Sequence, residues 1–424
     1  MLDIKLIREN PDKIKKSIKD RNLKIDIDQF IAIDAERRSL LTKADNLKNL
    51  RNTESSEIAK FKKEGKDNSV KLAEMKTISQ KIKEIDSKVG ELNTKIHHIM
   101  INIPNIPDSS VPVGPDAAAN KQIRAWGKLP NFSFKPLDHI ELGKKLSIMD
   151  FQASAKLSGS GFSLFTGDGA KLVRALMSFM IDLHTSKHGY REVWPPLLVN
   201  RASMTATGQL PKLEEDMYAL KDDELFLIPT AEVPVTNIHR DDVLEEDKLP
   251  IYYTAYTPCF RREAGSYGKD TKGLSRVHQF DKVEMVKFVK PETSYDELEK
   301  LLKDAEEVLQ LLKLPYRVQL LSTGDISFAA SKCYDIEAWA PGSKTWFEVS
   351  SCSNFEDFQA RRGNIRFKNK KTNKLEYVHT LNGSGVAFAR LIIAILENYQ
   401  RKDQTIEIPK VLRSYMGKKI IKTS

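Results

Sequence analysis

From Met75 onward the apolar residues step by three and four without a break: Met75, Ile78, Ile82, Ile85, Val89, Leu92, Ile96 and Ile99. That alternation keeps one seam on one side of a helix and is the pattern of a coiled coil. A weaker seam precedes it, through Ile33, Arg37, Leu40, Ala44, Leu47, Arg51, Glu54, Ile58 and Phe61, with the charges Arg51 and Glu54 in its middle. Between the two, residues 62–69 read KKEGKDNS, a polar turn containing a glycine. Two helices of about 30 residues joined by so short a turn fold back as an antiparallel pair. At 1.5 Å per residue the arm is about 45 Å long. Ahead of it, residues 1–23 predict a short helix after Pro11.

The pattern changes after residue 100. Residues 101–130 carry five prolines, Pro104, Pro107, Pro112, Pro115 and Pro130, and cannot continue a helix. All four tryptophans lie beyond residue 120. Helical periodicity returns near 139–147, 169–187, 294–313 and 386–400. Strand patterns fall near 225–228, 251–257, 279–289, 316–321, 333–339, 345–350 and 376–381. Strand–turn–strand signals such as APGS at 340–343 imply antiparallel pairing. The expectation is an α+β fold, an antiparallel sheet with flanking helices rather than a doubly wound parallel one.

Composition narrows the class of function. The chain has 424 residues, 30% of them charged, and a formal charge of +10. Such a charge suits a polyanionic partner without requiring one. No run approaches the about 18 apolar residues needed to cross a membrane. The start, MLDIKLIREN, lacks an apolar signal core, so a cytoplasmic location without a membrane partner is expected. Cys259, Cys333 and Cys352 are odd in number and far apart, which rules out a CxxC pair and a disulfide framework. The arm fits either a dimerisation coiled coil or a binding arm, and its lysine-rich outer face leans toward a polyanion.

The densest chemistry lies in residues 257–288, TPCFRREAGSYGKDTKGLSRVHQFDKVEMVKF. Two strands are joined by a cationic loop holding Gly265, Gly268 and Gly273 with Lys269, Lys272 and Arg276. Alternation puts Arg261 and Glu263 on one face of the first strand, and Phe280, Lys282 and Glu284 on one face of the second. A guanidinium takes phosphate in a bidentate manner, an aromatic face takes a base, and a carboxylate takes an amine. The same residues also fit a charged surface hairpin. There is no P-loop, no dinucleotide fingerprint at 167–172 or 383–388, and no HExxH. His184 and His188 are four apart on a predicted helix but lack a third ligand nearby, so a structural role is expected for them and for His139.

Three segments, in order, resemble the motifs of class II aminoacyl-tRNA synthetases: GYREVWPPLLVN at 189–200, FRREAGSYG…HQFDKVE from 260 to 284, and LNGSGVAFARLIIAILEN at 381–398. Within that class the pattern is similar to seryl-tRNA synthetase of the bacterial type. It is carried by TAE at 230–232, HQFDKVE, EVSS at 348–351, NGSG at 382–385, the opening MLDIKLIRENP and the two-helix arm. The resemblance covers essentially the whole chain. It implies an N-terminal tRNA-binding domain over 1–103 with the arm at about 28–100, a linker over 104–125, and a class II catalytic domain over 126–424.

The resemblance also implies roles, residue by residue. Arg261, Glu263 and Arg390 would be catalytic. Thr230, Ala231, Glu232, Arg261, Glu284, Asn382 and Ser384 would bind L-serine, Glu284 being suited to the ammonium. Arg261, Arg262, Glu263, Phe280, Glu348, Val349, Ser350, Ser351 and Arg390 would bind ATP, with adenine between Phe280 and Arg390. Glu348 and Ser351 would hold Mg2+, although strict alternation places them on opposite faces, so the strand must bend there. The partners implied are tRNA(Ser), gripped at its long variable arm, tRNA(Sec) as a candidate second substrate, and a second copy of the chain in a homodimer. Gly161, where arginine is common in the family, and Arg262, where a smaller or other polar residue is common, depart from the pattern. A carrier-protein ligase of the same fold would lack the arm. A non-catalytic paralogue would lose motif residues that are present here.

Overall fold

A computed structural model describes residues 1–65, 67–264 and 272–423. Of the loop residues singled out above, Gly265, Gly268 and Lys269 lie outside that range. The chain divides into two compact units, one of residues 2–19 and 23–104, the other of Met1, residues 20–22 and everything from Asn105 onward.

The first unit is helical. Two short helices, Ile4–Glu9 and Pro11–Asp20, stand where one was expected, because Asn10 caps the first and Pro11 opens the second. The arm helices are Ile27–Lys63 and Ser69–Asn102. Asp26 caps the first by accepting from the Gln29 N–H at 2.9 Å. The second stops at Asn102, short of Pro104, which keeps the preceding residue extended. The predicted seam is buried at Ile82, Val89, Leu92 and Ile96. Two of the charges in the weaker seam have partners on the facing helix. Glu54 takes Lys71 at 3.0 Å, and Arg37 donates to Asn93 at 2.5 Å.

The second unit is built on an eight-stranded sheet. In chain order its strands are β1 (Lys121–Trp126), β2 (Arg191–Glu192), β3 (Ile251–Phe260), β4 (Gln279–Val289), β5 (Tyr316–Leu320), β6 (Lys332–Ala340), β7 (Thr345–Asn354) and β8 (His379–Ala387). Across the sheet they run β1-β5-β6-β7-β8-β4-β3-β2. Every neighbouring pair is antiparallel except β2 with β3. One face carries the main core, formed with helices Asp168–Ser186, Ser294–Leu311 and Phe388–Asn398. On β4 the odd positions Val283, Met285 and Val289 enter that core. The even positions Val286 and Phe288 enter a smaller one on the other face, with Ala231, Val235 and Ala360. Lys282 and Glu284 share this second face; Lys282 lines the cavities described below, and Glu284 is buried behind their lining.

Several boundaries differ from the sequence pattern for physical reasons. Residues 121–126, within the proline-rich segment, form an edge strand whose side chains are all exposed, so no apolar alternation marks it. The strand expected at 376–381 is two strands, Leu375–Tyr377 and β8, and β8 continues through the glycines of NGSG to Ala387. It does so because its pairing with β4 shifts register between Ser384 and Val386. β7 likewise runs four residues beyond the expected end, to Asn354.

Candidate active site

Two cavities open on the second face, of about 560 and 250 Å3. Arg261, Glu263, Arg276, Lys282, Glu348, Ser351 and Ser384 line both. The expected bend in β7 is a β-bulge. The register of β7 on β6 shifts between Glu348 and Ser350, leaving Val349 as an extra residue. Val349 turns into the core at 1% exposure, and Glu348 and Ser351 come to the same cavity wall.

The larger cavity ends among buried polar groups. Glu284, 1% exposed, accepts from Thr230 Oγ1 at 2.8 Å and from Asn382 Nδ2 at 3.2 Å, and pairs with Lys282 Nζ at 2.5 Å. Glu232 accepts from Gln359 Nε2 at 2.7 Å, and its backbone N–H donates to Thr230 Oγ1 at 3.1 Å. Burial, then the charge of Glu284, pushes the Glu232 carboxyl up to about 7. Ser384 stands at the junction of the two cavities. Ala231 is fully buried in the smaller core and lines neither cavity.

The smaller cavity is bounded by Phe280, Val349, Ser350, Arg390 and the loop residues Leu274–Val277. The Arg261 guanidinium lies 5.1 Å from the Phe280 ring centre, and its Nε donates to the Pro229 carbonyl at 3.3 Å. Glu263 pairs with Arg276 at 2.8 Å. Arg390 donates from Nη1 to the Glu348 carbonyl at 2.9 Å and carboxylate at 3.2 Å, and from Nε to the Ser275 carbonyl at 3.1 Å. It therefore ties the loop after residue 271 to β7. Ser350 is buried and donates to the Ser384 carbonyl at 2.6 Å. Arg262 is exposed and lines neither cavity. Its backbone N–H donates to the Asp216 carbonyl at 2.8 Å.

The departure at Gly161 is absorbed locally. Gly161 has φ +80°, a side chain there would overlap the His278 ring, and its carbonyl accepts from the His278 N–H at 2.8 Å. His139 accepts at Nε2 from the Leu274 N–H at 3.2 Å, and its Nδ1 lies 3.1 Å from Glu397, which fixes the end of the loop to the helix Phe388–Asn398. His184 and His188 sit 2.9 Å apart, and His188 reaches Glu307 at 3.0 Å.

Five residues enter the site without having been assigned to it from the sequence. Lys282 and Arg276 stood in the right segment, and Lys282 was findable by alternation from Glu284. Asp216, Gln359 and Asp335 carry no local signal. Asp216 accepts at Oδ1 from the Ala264 N–H at 2.9 Å, and Asp335 is the β6 partner of Ser351. Burial first, then the Glu348 charge, holds the Asp335 carboxyl well above the usual range, against a hydrogen bond from Ser351. Among the described residues no three acidic, histidine or cysteine side chains converge as a metal cluster. The Glu348–Ser351 pair offers two hard oxygen donors. That donor set fits a Mg2+ ion completed by waters and phosphate oxygens, rather than a closed protein cage.

The family model described as seryl-tRNA synthetase N-terminal domain matches residues 1–107, and that for the tRNA synthetase class II core domain (G, H, P, S and T) matches residues 216–399. The chain is 54% identical over 425 residues to a serine–tRNA ligase of Thermodesulfovibrio yellowstonii, covering all of both chains. It is 56% identical over 422 residues to one of Thermoanaerobacter pseudethanolicus, with the same coverage. The crystal structure of seryl-tRNA synthetase from Pyrococcus horikoshii complexed with ATP superposes with a TM-score of 0.95 at 40% identity, again over the full length of both.

Proposed function

The chain belongs to the seryl-tRNA synthetase family, and from that premise we propose that it activates L-serine with ATP and passes the seryl group to tRNA. The observation that carries this reading is the joining of two cavities, one aromatic and cationic, the other carboxylate-lined, at Arg261, Glu348, Ser351 and Ser384. An aminoacyl-adenylate needs such a pair.

In the first step a carboxylate oxygen of serine attacks the ATP α-phosphorus, and the bond to pyrophosphate breaks. Arg261 takes the α-phosphate and neutralises charge that grows in the transition state. Phe280 and Arg390 take the adenine, and Glu263, steadied by Arg276, takes its amino group. In the second step a terminal ribose hydroxyl of the tRNA attacks the seryl carbonyl, and AMP leaves. No protein atom bonds to substrate in either step, so positioning and charge neutralisation supply the rate. Glu348 and Ser351 would hold Mg2+, which when bound would supply neutralising charge to the phosphates.

The serine roles follow from which groups already have partners. Glu284 has Lys282, Thr230 and Asn382, so it holds a polar frame around the serine hydroxyl. Among the described residues Glu232 makes no ion pair, so it, rather than Glu284, takes the ammonium. A site built to bond a hydroxyl rejects alanine, because a buried polar group would be left unpaired. The lysine-rich arm grips tRNA by backbone and shape. Trp194, 72% exposed, and Leu198, 40% exposed, offer the motif 1 segment to a second copy in a homodimer. Among the described residues no helix is long and apolar enough to cross a membrane. A cytoplasmic site of action is part of the proposal.

ATP–pyrophosphate exchange with serine, alanine, threonine and glycine, followed by charging of tRNA(Ser), tests the reading. Serine-specific exchange with charging is expected. Exchange without charging would favour a carrier-protein ligase, and no exchange with any amino acid would end the proposal.

A further inference from the structure

One wall of the larger cavity is the segment 326–330, where Ser327, Phe328 and Ala329 face the lumen. It lies between β5 and β6 and belongs to neither strand. Its carbonyl groups are capped from distant parts of the sequence. Arg21 donates from Nη2 to the Ala330 carbonyl at 2.6 Å, and from Nη1 to the Ser327 and Ile326 carbonyls at 3.0 and 3.4 Å. Asn105 adds its Nδ2 to the Ala329 carbonyl at 2.9 Å and its backbone N–H to the Phe328 carbonyl at 3.0 Å. Residues 20–22 group with everything from Asn105 onward, so all of these bonds are internal to one compact unit.

Arg21 is 6% exposed, and among the described residues its Nε has no hydrogen-bond partner. The bonds above all go to neutral carbonyls. Burial pulls its pKa down to about 9. Among the described residues no carboxylate pairs with it, and a buried cation held only by neutral carbonyls is a costly way to hold a fold together. What it supplies that an apolar residue cannot is a rigid planar fork that reaches several carbonyls at once.

The wall it grips is linked to the serine end of the cavity. Gly208 packs so closely that a Cβ there would stand 3.2 Å from the Ala329 Cβ and 3.6 Å from the Phe328 ring. The preceding carbonyl, that of Thr207, accepts from Gln359 Nε2 at 3.2 Å, and the same nitrogen donates to Glu232. We propose that Arg21 is a positioning residue for serine recognition: its fork fixes the 326–330 wall, and through Gly208, Thr207 and Gln359 that wall fixes the Glu232 carboxylate. The inference rests on the assignment of Glu232 to the serine ammonium.

Arg21→Met keeps most of the volume and removes the donors, whereas Arg21→Lys keeps the charge but not the fork. Pyrophosphate exchange is measured with serine and ATP varied separately. Arg21→Met raises the serine KM about tenfold and leaves the ATP KM within about twofold, with Arg21→Lys between. The selectivity is expected because no wall residue borders the smaller cavity. A purely structural role would lower kcat with the folded fraction and move neither KM. An unchanged serine KM in a folded Arg21→Met protein, or an equal rise in both constants, overturns the proposal. Should Arg21→Met not fold, Asn105→Ala, which frees the Ala329 carbonyl in the middle of the same wall, must show the selective rise or the proposal fails. Wild-type exchange is measured first, so a failure of the serine–ATP reading is seen separately.

Discussion

Along the arm, a charge at or beside the seam finds its partner on the facing helix. Lys48 meets Asp86 at 3.1 Å and Lys71 meets Glu54 at 3.0 Å, with 22–49% of these side chains exposed. In the catalytic unit, Glu232 and Glu284 are nearly inaccessible, and their partners come from residues 127 and 98 positions away as well as from close by. The first kind of pair contributes little, because water competes for both members. The second kind is costly to bury and is held only by complete bonding. The arm therefore depends on its apolar seam, and its charges are free to serve a partner. In the catalytic unit the charges are themselves the site, and the apolar core exists to aim them.

The strongest attempt to break this contrast is Arg261→Ala. It should cost about 10^3-fold in pyrophosphate exchange with the melting temperature nearly unchanged, since removal of one transition-state donor has that order of effect. Normal exchange in this variant would sink the role assigned to Arg261. Next, deletion of residues 30–99 should lower tRNA charging about 100-fold while exchange stays within about twofold, because phosphate contacts are lost but the cavities are not. If both activities fell together, the arm would be a stability element instead.

Glu232→Gln sharpens the comparison with pH. The carboxyl titrates near 7 in the folded chain and near 4.5 when unfolded. The folded state thus holds the extra proton between those values. Its stabilising effect is complete below about 4.5 and is lost as pH rises through 7. The amide never ionises, so the variant should gain on wild type toward pH 8 by up to about 3 kcal/mol, and gain nothing near 4.5. Melting curves across that range check the sign. Serine KM should meanwhile rise about tenfold or more, since a charged hydrogen bond is lost. The smallest effect belongs to the arm: Glu54→Gln should cost about 0.5 kcal/mol or less by denaturant titration.

The same contrast explains what could be read in advance. The run from Met75 to Ile99 declares its structure because each residue's environment is set three or four places away. Phe280, Lys282 and Glu284 declare their shared face by simple alternation. Gln359 could not be found, because it acts on Glu232 from a helix with no motif of its own. Asp335 reaches the site only by pairing opposite Ser351, and pairing registers are not written locally. β1 was missed because an edge strand with every side chain exposed carries no apolar rhythm. The resemblance to a family supplied the pairing of Glu348 with Ser351 that alternation opposed, and the bulge at Val349 reconciles the two.

That bulge behaves like a reading frame. Glu348 and Ser351 are three residues apart and share a face only because one residue of the count is taken up at Val349. Removing Val349 would restore regular pleating and leave Ser351 and Ser353 on the Glu348 side, whereas removing a residue from the regular stretch between Thr345 and Glu348 would turn the side chains on one side of the gap to the opposite face. Change in this part of the chain can therefore exchange letters anywhere but lose one only at the bulge. The count of residues is loose at that one position and fixed on either side of it by the two oxygens the strand must present.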